Sequence, residues 1–188
     1  MSYGVSISYY KFPLNEALEE GVNQLFYTAK KTDKKNAVSY VILKHSGQFF
    51  GSTFHKDTKP YETFNKLITE NVNGDNFIHS VIYKLEPQKT VLYSIGTVSD
   101  EPERNKIFDN FFENNFDESV HTTKDKDGNK ILIPFLEQTK QLFKDVYSEN
   151  SLTGSKNEME KQNEKNLQKI YAALRFIGFI INKEERDE

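Results

Sequence analysis

The chain has 188 residues, a formal net charge of −3 and no cysteine. The lack of cysteine excludes a disulfide framework and a thiolate metal site. Charges of both signs are mixed along the chain, so no overall positive field attracts nucleic acid. No apolar run is long enough to span a bilayer, and residues 1–10 lack the basic start and apolar core of a signal peptide. These features predict a cytoplasmic protein that does not enter a membrane.

The first quarter of the chain predicts a strand, a helix, a basic loop and a hairpin. Residues 2–10 alternate apolar and small polar side chains, which is the period of a strand with one buried face. An amphipathic helix follows, with Asn15 as its predicted N-cap and lysines after its end. Its apolar stripe comprises Leu14, Ala17, Leu18, Val22, Leu25, Phe26 and Ala29. Residues 37–44 predict a second strand, and the His45-Ser46-Gly47 turn leads to a third at residues 48–54.

The remainder of the chain has helical periodicity, so the predicted fold class is α+β. Helices are predicted near residues 64–72, 77–85, 91–95, 107–116, 134–146 and 164–181. Residues 148–163 are polar without an apolar period and are predicted to be a mobile loop. We expect one domain at residues 1–56 and a helical C-terminal domain at residues 57–188.

Short motifs in the first 47 residues resemble a known family. Tyr27-Thr28-Ala29-Lys30 followed by Lys34-Lys35-Asn36 is similar to the C-terminal part of GGDEF-type diguanylate cyclase domains. A longer ordered set resembles the large polymerase-cyclase subunit of type III-B (Cmr-type) CRISPR effector complexes. That set comprises Ser2-Tyr3-Gly4, Tyr10-Lys11-Phe12-Pro13-Leu14, Ala29-Lys30, Asn36-Ala37 and Lys44-His45-Ser46-Gly47. More loosely, residues 77–85 and 171–181 resemble helices that follow the palm domain in this family.

The resemblance implies both a fold and a nucleotide site. Residues 1–56 would be the C-terminal remnant of a ferredoxin-like palm, made of strand, helix, strand and hairpin. Lys30, assisted by Lys34 and Lys35, would reach the phosphates of a nucleotide, and Ser2 and Gly4 would face that nucleotide. Two alternatives remain open at this point. Lys30 would otherwise neutralise a helix dipole, and Ser2 and Gly4 would otherwise be small residues required by strand packing.

The metal-binding part of the family's site is absent from the sequence. The family's paired-aspartate GGDD turn, which binds the metal ions, does not occur in it. The resemblance therefore implies that ATP and a divalent metal bind only when a GGDD-bearing partner completes the palm, so catalysis by this chain alone is not expected. Because the palm unit begins at Met1, we expect the C-terminal half of a split or truncated subunit.

The expected role is antiviral defence through cyclic oligoadenylates made from ATP. The implied partners are the N-terminal half of the same subunit and other type III effector subunits, with crRNA and target RNA as indirect partners. Three alternatives remain open: a non-catalytic scaffold, an inactive truncated gene product and a degenerate GGDEF-like signalling domain.

Overall fold

The computed structural model describes residues 1–32, 35–70, 77–116, 132–149 and 155–181. The strands are β1 (Tyr3–Ser8), β2 (Ala37–Leu43) and β3 (Phe49–His55). The described helices are α1 (Leu14–Asn23), α2 (Lys59–Glu70), α3 (Phe77–Leu85), α4 (Lys89–Gly96), α5 (Glu101–Asn115), α6 (Leu132–Glu149) and α7 (Lys156–Ile181). A π-helical segment, Gln24–Ala29, continues α1, and a 3-10 turn, Glu86–Gln88, connects α3 to α4. The fold is α+β, as the sequence predicts.

The strands form one mixed sheet in the order β1-β2-β3. β1 and β2 are parallel, with Tyr3 opposite Val38, and α1 makes the crossover between them. β2 and β3 are antiparallel, with Ala37 opposite His55. Gly47 has a φ of +75° in the hairpin turn, a conformation that glycine adopts without steric cost. The predicted strand-helix-strand-hairpin order is therefore confirmed, with each predicted strand boundary shifted by no more than two residues.

The sheet lies between two helical layers. Alternate residues along each strand point to opposite faces, so Gly4 and Ser39 face α1 while Tyr40 and Phe54 face α2 and α7. Phe64 of α2 stacks on Phe54 with ring centroids 4.6 Å apart. Phe176 of α7 lies 4.5 Å from Tyr40 by the same measure. These rings join the sheet to the helical core.

The core of the helical part is built around α7 and α6. Its fully buried apolar side chains include Leu142, Phe143, Ile170 and Leu174. Tyr40 and Phe54 of the sheet belong to the same cluster of buried side chains. The division of the chain into domains at residues 56 and 57 stays a prediction.

Two local predictions are wrong. Residues 148–149 end α6 and residues 156–163 begin α7, so most of the predicted loop at 148–163 is helical. Ser155 and Glu158 explain the early start of α7, because the Glu158 carboxylate accepts hydrogen bonds from the Ser155 N–H and hydroxyl, both at 2.8 Å. Asn15 does not cap α1: Pro13 holds the N-cap position and no side chain bonds there.

The apolar stripe of α1 is only partly covered. α1 has no buried residue, although Ala29 at the end of the π-helical segment is fully buried. The exposed fractions of the stripe residues are 72% for Leu14, 61% for Leu18, 49% for Val22 and 49% for Phe26. An amphipathic helix in a globular protein normally buries such a stripe. The described part of the chain therefore leaves this side of α1 without a covering element.

Candidate phosphate-binding site

The site predicted from the sequence lies where β1 and β2 begin. The Ser2 hydroxyl accepts a hydrogen bond from the Ala37 N–H at 3.4 Å, so the two strand starts are side by side. The Met1 amino group donates to Asn36 Oδ1 at 3.0 Å. Asn36 Nδ2 in turn donates to Asp57 Oδ2 at 2.5 Å. Asn36 thus ties the chain start to the segment after β3.

The π-helical segment positions Lys30 at this end of the sheet. Its wider turn is closed by the Lys30 N–H, which donates to the Leu25 carbonyl at 2.9 Å, five residues back. π-helical turns are rare and occur frequently at functional sites. The buried Ala29 anchors the turn beneath, and Lys30 itself is exposed. The backbone is therefore held while the lysine side chain reaches solvent.

Lysines at this end lie over aromatic rings. Lys30 Nζ is 4.0 Å from the centroid of the Phe26 ring, and Lys31 Nζ is 5.1 Å from that of Tyr27. Such cation–π contacts are weak at exposed positions. The ammonium groups consequently remain available to a more strongly charged ligand.

The loop before β2 carries the other predicted lysines. Lys35 is exposed, has a φ of 53° and donates its N–H to the Thr32 carbonyl at 2.9 Å. Lys34 lies outside the described residues. The role of both lysines in nucleotide binding stays a prediction.

A further cation, Lys56, lies at this end of the sheet, although no sequence motif points to it. Its Nζ lies 4.7 Å from the centroid of the Tyr3 ring, and its N–H donates to the Asn36 carbonyl at 2.9 Å. Lys56 follows the hairpin strand, twenty-six residues after Lys30. The available signal was strand pairing: because β3 runs antiparallel to β2, the end of β3 returns to the start of β2.

Gly4 faces the helix rather than an open site. A Cβ atom on Gly4 would lie 2.3 Å from the Leu25 nitrogen and 2.6 Å from the Gly21 carbonyl oxygen. This contact gives Gly4 a packing role, which is one of the two readings of the sequence. Ser2 remains at the strand start beside Ala37.

The lysines at this end of the sheet are of a type that suits phosphate groups. Lys30, Lys31, Lys35 and Lys56 supply flexible cations of the kind that bind phosphate as point charges. Metal ions of the type used with ATP take carboxylate and other oxygen ligands. Among the described residues, no group of three or more histidine, aspartate or glutamate side chains is placed to hold a metal ion.

Comparisons with known proteins found no match to the chain, in a scan against protein-family models, a search of curated proteins and a search of solved structures. The resemblance to the type III CRISPR subunit thus depends on the motifs quoted above. In the part of the chain that the structure describes, no helix is long and apolar enough to cross a membrane.

The free edge of the sheet adjoins the exposed stripe of α1. β1 is an edge strand, since it pairs with β2 alone among the described strands. Gln24 reaches toward β2, where its Oε1 accepts a hydrogen bond from the Ser39 hydroxyl at 2.5 Å. Gly21 lies against Ser6 of β1, and Val22 follows it by about 100° around the helix, on the side away from Gln24 and β2. The stripe therefore borders the open side of β1.

Proposed function

We propose that this chain is the C-terminal half of the palm of a type III CRISPR polymerase-cyclase subunit. It supplies the phosphate side of an ATP site, and a GGDD-bearing partner supplies the remaining strands and the metal-binding carboxylates. The complete site makes cyclic oligoadenylates from ATP in antiviral defence. The helical part of the chain contacts other effector subunits.

The observation that carries the proposal is the open side of β1 and α1. Four of the exposed large hydrophobic side chains, Leu14, Leu18, Val22 and Phe26, lie at i, i+4 spacing along one side of α1. Soluble monomers rarely expose a large contiguous apolar patch unless it binds a partner. An unpaired strand edge beside it offers backbone hydrogen bonds to a further strand. A partner that extends the sheet past β1 and covers α1 satisfies both requirements.

Lys30 has the leading role on the phosphate side. It stands at the end of a backbone turn that is anchored by Ala29, with its ammonium group exposed. Lysine stabilises phosphate oxygens as a mobile point charge, and that stabilisation grows when the site closes and excludes water. A divalent metal held by the partner would neutralise the same phosphates from the opposite side. Lys31, Lys35 and Lys56 add positive potential around them.

Co-expression with the GGDD-bearing half of a type III-B large subunit tests the proposal. The expected result is a stable heterodimer that makes cyclic oligoadenylates from ATP and a divalent metal. Lys30→Ala should lower synthesis while the heterodimer persists. Lys66→Ala, at an exposed lysine of α2, is the matched control and should leave synthesis unchanged. A heterodimer that binds no ATP would instead support the scaffold alternative, and failure to associate would overturn both.

A further inference from the structure

We propose that this chain has a second ligand site, which binds a small anion carrying a planar aromatic body, of mononucleotide size. The site is a cavity of about 670 Å³ at the carboxyl ends of β1 and β2, named here the carboxyl-end pocket. Its walls include Ile7, Tyr9, Tyr10, Lys44, His45 and Phe179. The proposal does not depend on the palm function, because no residue of the phosphate-binding site lines this pocket.

The position of the pocket follows from the parallel pairing of β1 and β2. Both strands end at the same edge of the sheet, at Ser8 and Leu43. The chain then diverges, toward α1 after β1 and into a hairpin turn after β2. In open parallel α/β sheets, ligands bind outside the carboxyl ends of the strands, and this crevice lies at the corresponding end of the β1-β2 pair. The end of α7, at Phe179 and Ile180, closes the pocket on a third side.

The carboxyl-end pocket and the phosphate-binding site lie at opposite ends of the sheet. Ser2 precedes β1 and Tyr9 follows it, so the six residues of β1 separate them. At a rise of about 3.3 Å per residue, this places the two sites roughly 20 Å apart. One mononucleotide cannot occupy both sites, and variants at one end should not disturb binding at the other.

The composition of the walls selects the ligand class. Tyr9, Tyr10 and Phe179 provide aromatic surface, while Lys44 and His45 provide nitrogen donors. Aromatic side chains stack on planar bases, and cationic side chains favour phosphate. The volume is within the usual range for small-molecule sites.

The pocket loops are held in place before any ligand arrives. The centroid of the Tyr9 ring lies 4.9 Å from that of the His45 ring and 5.7 Å from that of the Phe12 ring, and both contacts are edge-on. The Phe12 N–H donates to the Tyr9 carbonyl at 2.9 Å, which fixes the turn after β1. The Lys44 N–H donates to the Gln48 carbonyl at 2.9 Å, which fixes the turn after β2. Preformed loops lower the entropic cost of binding.

Tyr10 is the aromatic ring best placed to change position for a ligand. Its side chain is 75% exposed, although it lines the pocket. Lys11 Nζ lies 5.2 Å from its ring centroid and adds a second cation at the rim. A base stacked on Tyr10 would cover exposed apolar surface, with the phosphate directed toward Lys44 and His45. This arrangement assigns the base and the phosphate to different side chains.

Isothermal titration of the full chain with adenosine 5′-monophosphate, adenosine and inorganic phosphate tests this assignment. The monophosphate should bind at least about tenfold more tightly than either fragment. Tyr10→Ala should weaken both the monophosphate and adenosine by roughly tenfold, because stacking is lost. Lys44→Ala should weaken the monophosphate and leave adenosine unchanged. The folded state should tolerate Tyr10→Ala, since this side chain is mostly exposed.

Lys66→Ala, at an exposed lysine of α2 outside both sites, is the control and should leave binding of the monophosphate unchanged. Lys30→Ala shows which of the two sites holds the ligand. Loss of binding in Lys30→Ala with none in Tyr10→Ala would assign the ligand to the opposite end of the sheet and overturn this proposal. Absence of monophosphate binding, or equal affinity for inorganic phosphate, would also overturn it.

Discussion

Gly4 of β1 lies against the backbone of Leu25, so close that a Cβ atom on Gly4 would be 2.3 Å from the Leu25 nitrogen. The contact joins the edge strand to the π-helical segment Gln24–Ala29, which Lys30 follows as its C-cap. The spacing of β1 and this segment therefore controls where Lys30 stands relative to the strand starts. Packing at Gly4 and the position of the proposed phosphate ligand are coupled through the backbone.

Gly4→Ala should destabilise the chain. The added methyl group would have backbone on two sides and no flexible side chain to displace. The resulting overpacking should lower the free energy of unfolding, measured in urea, by about 1–3 kcal/mol. Gly21→Ala is the control from the same contact: its Cβ would meet Ser6 Cβ at an ordinary 3.7 Å. Within a helix, that change should stabilise by about 0.5–1 kcal/mol. Equal stability of the two variants would contradict this account of Gly4.

The sequence could predict the order of elements around Gly4 but not the closeness of the contact. Alternation at residues 2–10 and helical spacing from Leu14 onward identify a strand and a helix. The π-helical turn at Gln24–Ala29 leaves no comparable pattern, because it changes a single hydrogen-bond step within a helical run. From the sequence alone, Gly4 fits either a packing position or a ligand position. The close approach of the Leu25 backbone identifies it as a packing position.

The exposed stripe of α1 should be dispensable for folding and required for partner binding. Leu18→Glu combined with Val22→Glu should change the free energy of unfolding by within about 0.5 kcal/mol, because both side chains are exposed. The same double variant should not form the heterodimer in size-exclusion chromatography with light scattering. Leu67→Ala, in the buried core, should instead cost about 2–5 kcal/mol. Normal assembly of the double variant would exclude the α1 flank from the interface.

Stability should fall in alkaline solution because of buried tyrosines. Burial raises the pKa of Tyr147 and of Tyr171 above the usual range, so both phenols stay neutral in the folded chain. The neutral phenols contribute fully to folding stability below about pH 10, the pKa of tyrosine in the unfolded chain. This contribution is lost as the pH rises toward the pKa values of the two tyrosines in the folded chain. Urea midpoints at about pH 8 and about pH 10.5 measure the loss. Tyr171→Phe should reduce the pH-dependent part, and an unchanged difference between the two pH values would contradict the assignment.

Asn163 should be necessary for the junction of α6, α4 and α7. Its Oδ1 accepts a hydrogen bond from the Tyr147 hydroxyl at 2.5 Å, and its Nδ2 donates to the Tyr93 carbonyl at 2.8 Å. Asn163→Ala leaves these buried partners unsatisfied and should cost about 1–3 kcal/mol in thermal or urea unfolding. Lys165→Ala, at an exposed position of α7, should have an effect within about 0.5 kcal/mol. Similar midpoints for both variants would show that the junction adapts without Asn163.

The prediction of a loop at residues 148–163 is wrong because apolar periodicity does not detect buried polar residues such as Asn163. The first turns of α7 are polar, and an isolated polar stretch without apolar period favours a loop. Here Asn163 is buried by hydrogen bonding rather than by apolar contact, which periodicity does not detect. Ser155 and Glu158 had the spacing of a capping box, which was the one local signal for an earlier helix start.

The sequence predicts the place of some residues at the amino ends of β1 and β2, and their role in nucleotide binding stays a prediction. Lys30 and the loop before β2 were identified from motif order, and both stand at the amino ends of β1 and β2. Lys56 comes to the same region by hairpin pairing, and its Nζ lies over the Tyr3 ring. A contribution of this kind cannot be obtained from local motifs, since it depends on the register between strands.

The most direct test of the central claim is cyclic oligoadenylate synthesis after mixing this purified chain with a separately purified GGDD-bearing palm half. The account predicts product from ATP and a divalent metal only when both chains are present, and about tenfold or more loss with Lys30→Ala at equal heterodimer concentration. Product from the GGDD-bearing half alone at the same rate, or no product from the assembled pair, would contradict it.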